Sequence, residues 1–242
     1  MEAKKRLGRT TSVLVFLGVF LFWGGLSITI SSSFAANPAL EAKKLVETSR
    51  LTLEGFMADP ANKEFQNLIK KAKGVYITPS LLKGAFVVGV SGGNGLLLIR
   101  DKDSGKWMGP AFYTLGGVSF GIQAGGEASE VVLLILTDRG VKSFMRSNFK
   151  LGADAGIAAG PIGGGVAAET ANLSADILSF SRSKGLFGGL SLEGAVVKVR
   201  SGLNESYYGK KVSPSQILIG GRAGNPQASR LVEEIAKAAG GH

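Results

Sequence analysis

Thirty-six glycines, scattered through the apolar runs of a 242-residue chain, constrain this sequence more than any other feature. An interior glycine weakens a helix by about 1 kcal/mol relative to alanine, so a middle region this rich in glycine does not suit a helical bundle. The glycines keep no three-residue period, which excludes a collagen-like triple helix. Strands, tight turns and bulges remain, where a missing side chain lets the backbone bend or lets another chain approach. With 45% hydrophobic and 19% charged residues there is enough apolar surface for a packed core, and the length suits one domain. Cysteine is absent, so the core alone must hold the fold.

The first 35 residues read as a signal peptide. Lys4, Lys5, Arg6 and Arg9 form a basic start, an apolar run covers residues 13–30, and Ser33 and Ala35 are the small residues a signal peptidase requires. Cleavage after Ala35 would leave a domain of residues 36–242, either periplasmic or extracellular. The alternative is an uncleaved membrane anchor, because an 18-residue apolar run is just long enough to span a bilayer. Removing the leader takes away four basic residues and one acid and lowers the net charge from +10 to +7. A basic, exported chain favours anionic lipid or an acidic polymer and makes nucleic acid an unsuitable partner.

Hydrophobic periodicity sets the expected elements. Ala42, Leu45, Val46, Ser49, Leu53 and Phe56 recur at helical spacing over 38–57. A second helix is expected over 60–72, stopped by Gly74. From Gly74 to Gly202 the pattern turns to strands. A short strand at 75–77 stops before Pro79, and a hairpin joins 84–90 to 96–100 through a turn at 91–95. A second turn lies at 101–105. Further strands are expected at 112–123, 131–136, 149–159, 166–173, 177–183 and 190–200. Asp138 is expected to cap a short helix, 214–218 to form one helical turn, and Asn225-Pro226 to start the last helix. The fold class is therefore α+β: a curved, barrel-like antiparallel sheet with helices at the N- and C-terminal ends.

Catalytic chemistry finds little material. Gly89–Gly93 and Gly117–Gly121 match G-x-S-x-G around Ser91 and Ser119, but the only histidine is His242, the last residue. Without cysteine or a usable histidine a metal centre has no ligand set. Asp101 and Asp103 lack calcium-loop spacing and read as turn acids. Gly163-Gly164-Gly165 lacks a P-loop Lys-Ser/Thr and reads as a turn. No cofactor and no enzyme activity are expected.

Several segments in order resemble one family. They are Lys71-Ala72-Lys73-Gly74-Val75-Tyr76-Ile77, Leu151-Gly152-Ala153-Asp154-Ala155, Ala159-Gly160-Pro161, and Phe180-Ser181-Arg182-Ser183-Lys184-Gly185-Leu186-Phe187-Gly188-Gly189. Ser191-Leu192-Glu193-Gly194, Asn204, Tyr207-Tyr208-Gly209 and Ile217-Leu218 follow. Over about 150 residues the chain resembles the SYLF domain family. Phe180 stands where the family usually has tyrosine, and Gly188 where it has alanine. Nothing resembles the SH3 or FYVE modules of some eukaryotic members. The resemblance implies phospholipid binding, with phosphoinositides the usual ligand in eukaryotic members. Some of those also act on actin, a role with no basis in an exported chain.

Head-group phosphate calls for lysine or arginine beside apolar side chains that enter the acyl boundary. The candidate lipid-binding residues are Lys43, Lys44, Arg50 and Phe56 on the first helix, Lys70, Lys71 and Lys73 after the second, and Arg182 and Lys184 within the shared motif. The competing reading stays open for each: the apolar face packs on the sheet, and terminal lysines complement the helix dipole. The expected partner is an anionic phospholipid or membrane surface, bound without catalysis. The alternative is an envelope protein that binds a protein or acidic polymer through the same basic face.

Overall fold

The structure, a computed structural model, describes residues 37–85, 88–120, 125–160, 174–183, 186–188 and 192–241. The expected leader, the strand at 166–173, Gly163–Gly165, Lys184 and His242 lie outside the described residues. Asn37 opens α1 (Pro38–Ala58); its side-chain oxygen accepts from the backbone N–H of Ala39 and Leu40, and Pro38 occupies the first turn. Ala42, Val46, Ser49, Leu53 and Phe56 line the buried face at the expected spacing. Asp59 then caps a 3-10 turn. α2 (Lys63–Leu68) and a second 3-10 turn complete the expected second helix.

The strands are β1 (Gly74–Ala85), β2 (Val88–Arg100), β3 (Trp107–Phe120), β4 (Gly125–Ile135), β5 (Asn148–Lys150), β6 (Ile157–Ala159), β7 (Ile177–Ser183), β8 (Leu186–Gly188) and β9 (Val196–Val199). They form one curled sheet in the order β5-β9-β3-β2-β1-β4-β7-β6, with β8 paired to β7. Within it β1 to β4 take the 4-1-2-3 arrangement of a Greek key. Every pair is antiparallel except β6 with β7. The remaining helices are α3 (Asp138–Phe144), α4 (Ser201–Tyr208), α5 (Pro214–Leu218) and α6 (Ser229–Ala238). The α+β class with terminal helices is as expected. Among the described residues the sheet curls without closing, since β5 and β6, at its two ends, do not pair with each other.

Both faces of the sheet are packed near its middle. Val75, Ile77, Leu96, Leu98, Phe112, Val132, Leu134 and Phe180 meet α1, α2, α4 and α6 on one face. Tyr76, Leu97, Tyr113, Val131, Leu133 and Ile135 meet Phe144, Phe149, Ile217 and Leu218 on the other. Residues Val131 to Ile135 are therefore buried on both sides, which is why they read as an unbroken apolar run.

Three local expectations are corrected. β1 does not stop before Pro79 but runs through it, with register shifts between Ile77 and Leu82 against β2 and between Thr78 and Leu81 against β4. A bulge accommodates a proline that has no N–H for the ladder. The glycines at 91–95 are not a turn; they lie inside β2. A Cβ on Gly93 would come within 2.5 Å of the Ser80 carbonyl and 2.7 Å of Thr78, and one on Gly95 would collide with the Tyr76 hydroxyl. These glycines admit the bulge rather than reverse the chain. The turn at 101–105 forms as expected, closed by Asp101 accepting from Ser104, with Gly105 at positive φ. Asp138 sits in the first turn of α3, whose cap is Thr137.

Candidate binding surface

Helix α1 crosses the strands and is fastened at both ends. Near its start the Glu41 carboxylate accepts from Asn94 on β2, at 2.9 Å, and from Arg200 after β9, at 3.3 Å. Arg200 also donates to the Asn94 side-chain oxygen, as does Thr114 of β3. Near its end Thr52 donates to Glu130 of β4 at 3.2 Å, and Glu130 holds Arg182 of β7 through Nε at 2.6 Å. The Arg182 guanidinium lies 5.4 Å from the Phe56 ring centroid, a cation–π contact.

These contacts correct part of the expected lipid site. Phe56 is fully buried and packs on Phe65 at 5.2 Å between centroids, so its ring is in the core and not at a membrane boundary. Arg182 ties β7 to β4 and α1. Arg50 lies between Glu47 and Glu54 on its own helix. Lys73 bonds Asp138 at 2.9 Å, and Lys102 takes the other oxygen of the same carboxylate at 2.7 Å. Those lysine hydrogen bonds, Lys102 first, hold the Asp138 carboxyl at about 2, well below its ordinary value. Lys43, Lys44, Lys70 and Lys71 are exposed and make no ion pair among the described residues. The eight described candidates therefore do not converge on one point. Lys184 is outside the described residues.

On the helix-bearing face α1 marks a border. Beyond it the register places Lys150, Val196, Gly116, Gly92, Leu82 and Ala128 in one cross-strand row. Lys198, Thr114 and Asn94 form the row nearer the helix, and Val90 with Gly84 the row farther out. Leu82 is 60% exposed, Val90 61% and Val196 42%. Between α1 and this area runs a groove of about 480 Å³, lined among others by Leu45, Leu51 and Pro79. Sequence reading missed this area, because the period-two pattern that marks a face is broken by the glycines and by the bulge at Pro79.

Ser91 lies mid-strand in β2, its hydroxyl donating to the Gly117 carbonyl at 3.4 Å, with no strand-to-helix elbow. Ser119 likewise lies on β3. Among the described residues no group of histidine, cysteine, aspartate or glutamate could hold a metal, and no helix is long and apolar enough to cross a membrane.

Residues 116–238 match the sequence profile of Ysc84, described as a Las17-binding protein actin regulator. The chain belongs to the Ysc84 family. This agrees with the SYLF resemblance, since the two names denote the same domain. The SH3 domain-containing YSC84-like protein 1 of Bos taurus is 32% identical over 209 residues, covering 85% of this chain and 61% of the relative. Its Homo sapiens counterpart is 32% identical over 207 residues, covering 84% and 60%. Protein YSC84 of Saccharomyces cerevisiae is 32% identical over 167 residues, covering 67% and 35%. LAS seventeen-binding protein 3 of the same species is 33% identical over 158 residues, covering 64% and 34%. The family is one of binding and regulatory proteins, and this chain spans less than two thirds of the relatives it matches.

Proposed function

We propose that this Ysc84-family chain is exported and docks, without catalysis, on anionic phospholipid at a membrane surface. The observation that carries the reading is the division of charge. Glu41, Glu47, Glu54 and Glu130 are each held by an arginine, while Lys43, Lys44, Lys70 and Lys71 stand exposed outside any ion pair among the described residues. Each such cation near an anionic bilayer contributes about 1 kcal/mol. The full chain is expected to sediment with vesicles rich in phosphatidylglycerol far more than with phosphatidylcholine vesicles. Equal sedimentation with both, or with neither, would contradict the reading.

A second reading, a protein partner on the same basic face, draws on the family description and on the yeast relative's name, both of which specify Las17 binding. Capture of a protein by a chain that ignores vesicles would favour it. Export rests on the basic start, the apolar run and the small residues Ser33 and Ala35. N-terminal sequencing of the protein from its native cells is expected to begin at Ala36; a retained leader would mean an anchored protein.

A further inference from the structure

Six large hydrophobic side chains are prominently exposed among the described residues: Leu40, Leu51, Leu82, Val90, Val196 and Ile219. Four of them, Leu51, Leu82, Val90 and Val196, stand on or beside one surface. Leu82, Val90 and Val196 stand on the half of the helix-bearing sheet face that no described helix covers. Leu51 also lines the groove beside it. Leu40 and Lys44 share the outward side of α1 with Leu51, since seven or eleven residues at 100° each return to nearly the same side of a helix.

The floor between these side chains is bare. Gly84 and Gly92 have no atom within 4 Å of where a Cβ would be, and neither is at positive φ. Neither packing nor backbone conformation requires glycine there, although glycine weakens a strand. At Gly93, one residue on, packing does require it. The result, among the described residues, is a low apolar floor with raised apolar side chains around it.

Cations stand at one edge of the floor. Lys150 and Lys198 lie on the same face, at the β5–β9 edge, both exposed and outside any ion pair among the described residues. The carboxylates nearest the border, Glu41 and Glu130, are neutralised by Arg200 and Arg182. An apolar floor with cations at its rim complements a bilayer whose head groups are anionic: the side chains enter the acyl boundary and the ammonium groups stay with the phosphates.

We propose that this half of the sheet face is the membrane-docking surface, with Leu82, Val90 and Leu51 entering the acyl boundary of an anionic bilayer and Lys44, Lys150 and Lys198 meeting its phosphates. This rests on the phospholipid reading above and assigns it to a sheet face instead of to the apolar face of α1.

The chain has no cysteine, so Leu51→Cys, Leu82→Cys, Val90→Cys and Ile219→Cys each accept one environment-sensitive fluorophore on the full chain. Ile219 follows α5, on the opposite layer, and serves as the control. With phosphatidylglycerol vesicles the labels at 51, 82 and 90 are expected to shift to the blue and brighten several-fold, while that at 219 keeps its emission in water. The double variant Leu82→Glu, Val90→Glu is expected to lose at least about tenfold in partition, with unchanged circular dichroism because both side chains are exposed. Sedimentation with vesicles while the three labels remain in water would overturn this inference and leave the phospholipid reading standing. Absence of sedimentation would overturn both. A blue shift at Val90 that follows protein concentration without lipid would mean that a second copy covers the face, and would also overturn the inference.

Discussion

The Arg182 guanidinium reaches the Phe56 ring across a helix that carries no side chain at the point of contact. A Cβ on Gly55 would lie 2.5 and 2.8 Å from the two terminal nitrogens of Arg182. Glycine inside a helix costs about 1 kcal/mol relative to alanine, and here that cost admits the contact that joins α1 to β7. Gly55→Ala alone is therefore expected to bring no gain in stability. In an Arg182→Ala background the same change is expected to recover about 1 kcal/mol. Urea denaturation of the four members of the cycle measures this, and equal effects of Gly55→Ala in both backgrounds would contradict it. Arg182 also marks a limit of sequence reading. A cation in a family motif looks the same whether it serves a ligand or a neighbour, and its partner Glu130 lies 52 residues away in the chain.

At the scale of elements, two adjacent glycines on β2 have opposite expectations. Gly92 faces open space and Gly93 faces the Ser80 carbonyl. Gly92→Ala should be neutral or stabilising by up to about 1 kcal/mol. Gly93→Ala should destabilise by about 1–3 kcal/mol, because the backbone of the bulge must move. Similar midpoints in urea for the two variants would contradict this register of β2 against β1. The start of α3 offers a second test. The native pKa of Asp138 is lowered to about 2 by Lys102 and Lys73, while the unfolded value is near 4. A depressed native pKa contributes stability that is present above the unfolded value and lost as pH falls through the native one. Asp138→Asn should thus be less stable than the parent at neutral pH, and the difference should shrink below about pH 4 and vanish only below about pH 2. A difference that holds constant with pH would contradict the clasp. Elements differed in how far the sequence revealed them. α1, α2 and β7 were legible because their burial follows a local period and capping residues mark the helix ends. β2 was misread because a glycine run signals a turn and a close backbone approach alike. α4 went unrecognised because Asn204 and Tyr207 are buried by distant partners: Asn204 bonds the Phe112 backbone and Tyr207 bonds Gln227.

For the whole molecule, the candidate site was legible only as a surplus of positive charge. Lysines were visible in the sequence, but which of them the fold occupies was not: Lys73 belongs to α3's clasp, and Lys150 and Lys198 come together only through the pairing of β5 with β9. Docking on a membrane requires that the exposed lysines and an anionic bilayer be complementary. Salt screening probes this, since the Debye length falls from about 10 Å at 0.1 M salt to about 3 Å at 1 M. The decisive experiment is partition of the full chain onto vesicles of rising phosphatidylglycerol content across that salt range, for the parent and for the variant with Lys43, Lys44, Lys70, Lys71, Lys150 and Lys198 replaced by glutamate. Partition is expected to rise with anionic lipid, to fall with salt and to be largely lost in the variant while circular dichroism is unchanged. Partition indifferent to lipid charge, to salt and to the six replacements would contradict docking by charge.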